Sequence, residues 1–297
     1  MLAININQPH ATKIENQRFD EERALYNLKE SDVINCTFAG PADGESVLKE
    51  VRDINVINCQ FSLRYPLWHA VKFSLVGSEM DGNARAPIWY AQDGKIRECQ
   101  LEGIKLLREC QNIEVEDCTI HSPEFGWKCN DIAIANSEIE SEYLLLDSRN
   151  ITIDHLQMQG KYSFQYVEQL HISDSVLDTK DAFWHSKNVT VENSIVKGEY
   201  LGWFSENLTL IDCQIIGTQP LCYCKNLTLI NCTMEDTDLA FEYSDVNADI
   251  KGHVISIKNP KSGTIIVDSV GEIIQDNVLT DSLGKVKIRR EQWNIFD

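Results

Sequence analysis

Residues 207–234 read NLTLIDCQIIGTQPLCYCKNLTLINCTM, and the opening seven residues return almost unchanged nineteen positions later. In each copy the apolar residues alternate, Leu208 with Leu210 and Leu227 with Leu229. Alternation is the pattern of a strand with one buried face. A strand that recurs at a fixed period near twenty marks a solenoid, whose turns bury their apolar faces only by stacking.

The same period runs through most of the chain. Cys99, Cys118, Ser137, Leu156, Ser175, Ser194, Cys213 and Cys232 follow one another at nineteen residues. The series extends backwards through Ser78, Cys59 and Cys36 at intervals of 21, 19 and 23, so the early coils carry small insertions. No coil has helical periodicity long enough for a helix, and the dense leucine consensus of a leucine-rich repeat is missing. The expected fold is all-β, a single-stranded right-handed parallel β-helix of about eleven coils forming one domain over 1–297. Residues 1–30 are expected as an N-terminal cap, with 14–30 as a charged amphipathic helix or irregular cap. Regular coils are expected over 31–246, and irregular strands and a second cap over 247–297, with the tail KVKIRREQWNIFD folding back.

Ten cysteines in 297 residues would suit a disulfide scaffold only in a short exported chain. Here six of them share the Cys36–Cys232 column with serine. Cys110, Cys129 and Cys224 share a second column with Ala70, Ala91, Ser148, Ser186 and Ser205. Small residues at fixed positions imply inward packing at a corner, with reduced thiols. The Cys222–Cys224 spacing is tighter than the usual zinc-ligand spacing, so neither a metal nor a cofactor is expected. Stacked Asn and Asp columns, such as Asn112, Asp131 and Asn150, suit repeated tight bends. The N-terminal residues lack an export signal and no stretch is apolar enough to span a membrane, which implies a cytoplasmic protein. A net charge of −19 argues against nucleic acid and anionic membranes as partners. A homo-oligomer is compatible with the pattern.

Chemistry concentrates on one face. A column of Lys49, Trp68, Trp89, Arg108, Trp127, Leu146, Gln165, Trp184, Trp203, Cys222 and Phe241 holds five of the six tryptophans. The next column runs Glu50, His69, Tyr90, Glu109, Lys128, Asp147, Tyr166, His185, Phe204, Tyr223 and Glu242, too charged for an interior. The nearby Arg64, Arg85, Lys105, Tyr143 and Tyr162 widen this surface. Aromatic rings and charges in a row suit an oligo- or polysaccharide, including an acidic one. Glu109 and Asp147, about 9–10 Å apart over two coils, approach the carboxyl separation of inverting glycosidases. With Lys128 between them they form either a catalytic trio or a self-neutralising ion ladder. Substrate contacts are expected from Arg64, Arg85, Lys105, Arg108, His69, Tyr90, Trp127, Tyr143, Tyr162, Trp184 and His185. The expected function is therefore a carbohydrate-active protein, hydrolase or lyase. The alternative is a non-catalytic scaffold or a protein- or glycan-binding module.

Several phrases, ADGESVLKE (42–50), LRYPLWH (63–69), SPEFGWKC (122–129), SEYLLLDS (141–148), KYSFQYVE (161–168), DAFWHSKNV (181–189) and GEYLGWFSENL (198–208), resemble an uncharacterised, mainly bacterial family of this length. That family is similar to the pectin-lyase-like right-handed β-helix proteins, which implies the same fold here. Members are sometimes labelled hydrogenases, a reading the nineteen-residue cysteine spacing opposes. The calcium-binding aspartates of pectate lyases and the aspartate cluster of polygalacturonases have no clean counterpart here, and fold alone does not carry a function.

Overall fold

Strand after strand along the chain pairs with the strand one turn later, always in parallel. The computed structural model describes residues 8–40 and 45–289. Its contacts divide into two compact units, 1–170 and 171–297. In the first unit Val33, Val56, Leu75, Ile96, Val115, Ile134 and Ile153 stand directly over one another in successive turns. A second ladder stacks Phe19, Phe38, Phe61, Met80, Leu101, Ile120, Ile139 and Met158. In the second unit Val191, Leu210, Leu229, Ala248, Ile265 and Val286 form one inward line, and Leu177, Val196, Ile215 and Met234 another. Both faces of the predicted solenoid are thus present, with a repeat near nineteen residues.

The chain makes about 14 turns, more than the eleven expected, because both intended caps are rungs. Thr12–Glu15 pairs in parallel with Lys29–Ile34, and Arg18–Phe19 with Thr37–Ala39, so 14–30 is a coil and contains no helix. Charged residues at alternate positions mimic an amphipathic helix when their apolar partners are as sparse as Ile14 and Phe19. After Asp245 the rungs continue as Asp245–Lys258, Ser262–Ile274 and Lys285–Ile288. Only the period changes, to seventeen residues between Asp245 and Ser262 and twenty-one between Thr264 and Lys285. The rest of the tail, 290–297 with Trp293, lies outside the described residues, as do 1–7 and 41–44.

The third face of most coils is an arc and not a strand. Leu106–Arg108, Glu124–Trp127 and Tyr143–Leu144 form a short ladder in the first unit. In this arc every second residue is left-handed, for example Tyr65, Leu67 and His69 with φ of 61°, 60° and 55°, and Leu107 of the ladder itself and Glu109 just after it with 56° and 52°. A left-handed non-glycine residue costs on the order of 1–2 kcal/mol. What offsets it is a hydrogen bond to the next turn: His69 N donates to Trp89 O at 2.9 Å and Glu109 N to Trp127 O at 2.9 Å. Asn and Asp tolerate the same conformation at the corners, and their side chains stack as expected. Asn112 Nδ2 reaches Asp93 Oδ1 at 2.7 Å, and Asn226 Nδ2 reaches Asn207 Oδ1 at 2.8 Å.

The cysteine columns are inward, and every described cysteine is buried with a free thiol. Size is only half of the reason that cysteine alternates with serine. Ser137 Oγ donates to Ala135 O at 2.7 Å and accepts from Cys118 N at 3.1 Å, and Cys59 N finds Ser78 Oγ at 3.0 Å in the same way. Cys118 Sγ repeats the donation to Glu116 O at 3.2 Å. The position needs a small side chain that can satisfy corner carbonyls and amides, which otherwise would be buried unpaired. Burial pushes the Cys59 thiol up to about 12 and that of Cys224 to about 11. Because the thiolate is the reactive form and every one of these thiols is buried out of reach of a reagent, a thiol reagent at pH 8 is expected to label essentially no cysteine in the folded protein and all ten in denaturant. Rapid labelling of two or more under native conditions would contradict this reading.

Candidate functional site

In the first unit the tryptophan column forms a continuous stack. Lys49 Nζ sits 5.9 Å from the Trp68 ring, Trp68 and Trp89 are parallel at 5.3 Å, and the Arg108 guanidinium lies between Trp89 at 5.0 Å and Trp127 at 5.7 Å. Each indole N–H is spent on the backbone of the following turn: Trp68 on Ala86 O at 2.6 Å, Trp89 on Lys105 O at 2.6 Å, Trp127 on Tyr143 O at 3.1 Å. In the second unit Trp184 and Trp203 stack at 5.4 Å and donate to Tyr200 O and Gln219 O at 2.7 and 2.8 Å. All five indoles are half-buried, neither interior nor free. Their faces cover one another, so a ligand running along the column meets ring edges. The edge is the positive rim of the aromatic quadrupole.

The neighbouring row is exposed as expected, with every member from His69 to Tyr223 at least partly accessible. His69 stacks on Tyr90 at 4.9 Å; in the second unit His185 stacks on Phe204 at 5.0 Å, and Phe204 on Tyr223 at 4.9 Å. Tyr143 stacks on Tyr162 at 5.0 Å and abuts the Trp127 ring. One alignment in this row is corrected. An extra residue between Glu235 and Asp238 shifts the register, so that Tyr223 N meets Glu242 O. Glu242 therefore continues the tryptophan line, Tyr243 the row, and Phe241 is fully buried. Glu242 is held by Lys258 Nζ at 2.9 Å.

The charged middle has fewer contacts than an ion ladder would make. Glu109 lies 3.7 Å from Arg108 Nε, whereas Lys128 and Asp147 make no side-chain ion pair among the described residues. All three of Glu109, Lys128 and Asp147 are exposed. Arg64 pairs with Glu45 at 3.1 Å and Lys105 with Glu124 at 3.9 Å, while the exposed Arg85 has no side-chain partner among the described residues. Arg85 and Lys128 are therefore the cations there without a side-chain partner among the described residues, on the turns before and after the one that carries Arg108 and Glu109. Arg108 Nε is buried without a hydrogen-bond acceptor in reach.

A second constellation escaped sequence reasoning because His10 belongs to no repeated strand position, although its partners Asp32, Asn55 and Ser74 stand in register on successive turns. Residues 8–11 cross the outer face of the sheet that begins with Lys29–Ile34. There the buried Asp32 accepts from Asn55 Nδ2 at 2.8 Å, His10 Nδ1 at 2.8 Å and His10 N at 3.1 Å, and Ser74 Oγ donates to Asn55 Oδ1 at 2.8 Å. Burial alone would raise the Asp32 carboxyl, but the hydrogen bonds from Asn55 and His10 outweigh it and hold the group below its ordinary range. His10 Nε2 is 3.4 Å from Asp53 Oδ1, and Asp53 Oδ2 is 2.5 Å from Lys72 Nζ. Beside them opens a cavity of about 620 Å³. The one available signal was a run of short polar residues, Asp32, Asn55 and Ser74, at one outward strand position that continues with the longer Lys95 and Glu114.

A family model described as "Protein of unknown function (DUF3737)" matches residues 12–288, and the chain belongs to that family. No curated protein matches it in sequence. Among solved structures it is similar to a mutant tailspike protein of E. coli bacteriophage HK620 in complex with a pentasaccharide, at 8% identity over 94% of this chain and 70% of that chain, with a TM-score of 0.38. It is also similar to the periplasmic alginate epimerase AlgG, at 8% identity over 94% of this chain and 77% of that one, with a TM-score of 0.28.

Proposed function

We propose that the first unit's row is a non-catalytic binding surface for an acidic oligo- or polysaccharide. The observation that carries this reading is the Arg108 guanidinium clamped between Trp89 and Trp127 at 5.0 and 5.7 Å. A guanidinium fixed by two rings has little rotamer freedom left to lose and keeps its edge for a carboxylate. Arg85 and Lys128 supply further charge on the adjoining turns, and the tryptophan edges add a positive rim. The net charge of −19 opposes an acidic ligand at long range. At physiological salt that field is screened beyond about 8 Å, so the local cations decide. The two carboxyls of a glycosidase flank the bond they cleave, whereas Glu109 and Asp147 are both exposed side chains on an open row.

Calorimetric titration with oligogalacturonates and uncharged oligosaccharides is the test. Acidic chains are expected to bind and uncharged ones not, with affinity falling as salt rises. Arg108→Lys, which keeps the charge and loses the fork, and Lys128→Ala, on an exposed side chain, should each weaken binding by about tenfold, in line with roughly 1.5–3 kcal/mol per charged hydrogen bond. Absence of binding by any acidic chain would sink the proposal. Appearance of cleaved product that disappears in Glu109→Gln would replace it with the hydrolase or lyase reading.

A further inference from the structure

The cavity beside His10 is independent of the row and is built differently. Its walls come from the segment Gln8–Thr12 and from Lys29, Glu30, Asp53 and Lys72. At about 620 Å³ it falls within the range of roughly 300–1,000 Å³ typical of small-ligand pockets, and its lining is mainly polar, with Pro9 and Ala11 its apolar residues. Behind the wall stands the chain Ser74–Asn55–Asp32–His10, of which Asp32, Asn55 and Ser74 are 2%, 5% and 3% exposed. Burying a carboxylate is costly unless every lone pair is used. Here the arrangement fixes one imidazole. Asp32 can only accept, so His10 Nδ1 carries the proton, and Nε2 is left at the cavity wall near Asp53.

We propose that this cavity binds a small zwitterion, a molecule of free amino acid size with one carboxylate and one ammonium. The charges of the wall supply the argument. Lys72 and Asp53 satisfy each other at 2.5 Å, whereas Lys29 and Glu30 have no side-chain partner among the described residues. The wall therefore offers one cation and one anion and has no excess of either sign. A ligand of single charge compensates one of the two and repels the other. A zwitterion compensates both, with its carboxylate on Lys29 and its ammonium on Glu30.

The test is calorimetry on the full chain with the set of free α-amino acids, the corresponding amino acid amides and N-acetyl amino acids, and glycerol and glucose as uncharged polyols. At least one free amino acid is expected to bind. Its amide, which lacks the carboxylate, and its N-acetyl form, which lacks the ammonium, should bind at least tenfold more weakly. Lys29→Met and Glu30→Gln are both on exposed side chains and should keep the fold by circular dichroism while each reduces affinity at least tenfold. His10→Gln should weaken binding less than Glu30→Gln. The proposal is overturned if no free amino acid binds, if amide and N-acetyl forms bind as well as the parent, or if a polyol binds and neither charge variant changes its affinity.

Discussion

Gly103→Ala is expected to lower the unfolding free energy of the first unit by about 2–5 kcal/mol, the sum of a strained backbone of roughly 1–3 kcal/mol and one or two lost ladder hydrogen bonds of about 1 kcal/mol each. Gly103 has φ of +126°, a conformation that side-chain-bearing residues rarely adopt. A Cβ there would lie 2.0 Å from the carbonyl oxygen of Ala84 one turn earlier. That oxygen belongs to backbone beside the bonded pair Ala86 N to Ile104 O at 2.7 Å, so it has no side chain to swing aside. Two other glycines separate the contributions. Gly252 has φ of +85° with nothing near the added atom, so its alanine variant should lose only about 1–2 kcal/mol. Gly82 has neither problem and should be close to neutral. Urea midpoints of the three variants check this ordering. A Gly103→Ala protein as stable as Gly82→Ala would show that the turns are not held at the spacing described.

Phe61→Ala should cost about 3–5 kcal/mol, the usual range for a buried phenylalanine. Phe61 is 1% exposed and stacks on Phe38 at 5.0 Å, which stacks in turn on Phe19 at 5.2 Å. In a solenoid Phe38 on the turn before and Met80 on the turn after both lose a partner, and rigid backbone ladders limit collapse into the void. Phe61→Leu keeps most of the volume and should cost under about 1.5 kcal/mol. Equal midpoints for the alanine and leucine variants would mean that the site relaxes freely, contrary to this account.

The strand columns were legible because each coil is a copy of its neighbours, and copying turns a weak local signal into a strong one. Val33 through Ile153 could be aligned by counting alone. The tryptophan column was found by the same counting, yet its orientation was not. Alternation assumes a strand, whereas the arc of left-handed residues buries two consecutive positions, such as Leu106 and Leu107, before it presents Arg108 and then Glu109. The single extra residue before Asp238 displaced Phe241 and Glu242 for the opposite reason, since counting continues where the period does not.

By itself the sequence determined the parallel solenoid, its repeat, the inward cysteine and serine columns and the amide ladders. All of these follow from a nineteen-residue period imposed on residues of suitable size. Tertiary structure alone decided three things. It turned the charged segment after Ile14 into a rung, because an adjacent strand edge supplies backbone partners that no local helix offers. It turned the tryptophans edge-on, because each indole N–H finds a carbonyl only on the next turn. It also brought His10 onto Asp32, since a segment that crosses the sheet obeys no period and its partners are set by the buried carboxylate that needs its hydrogen bonds.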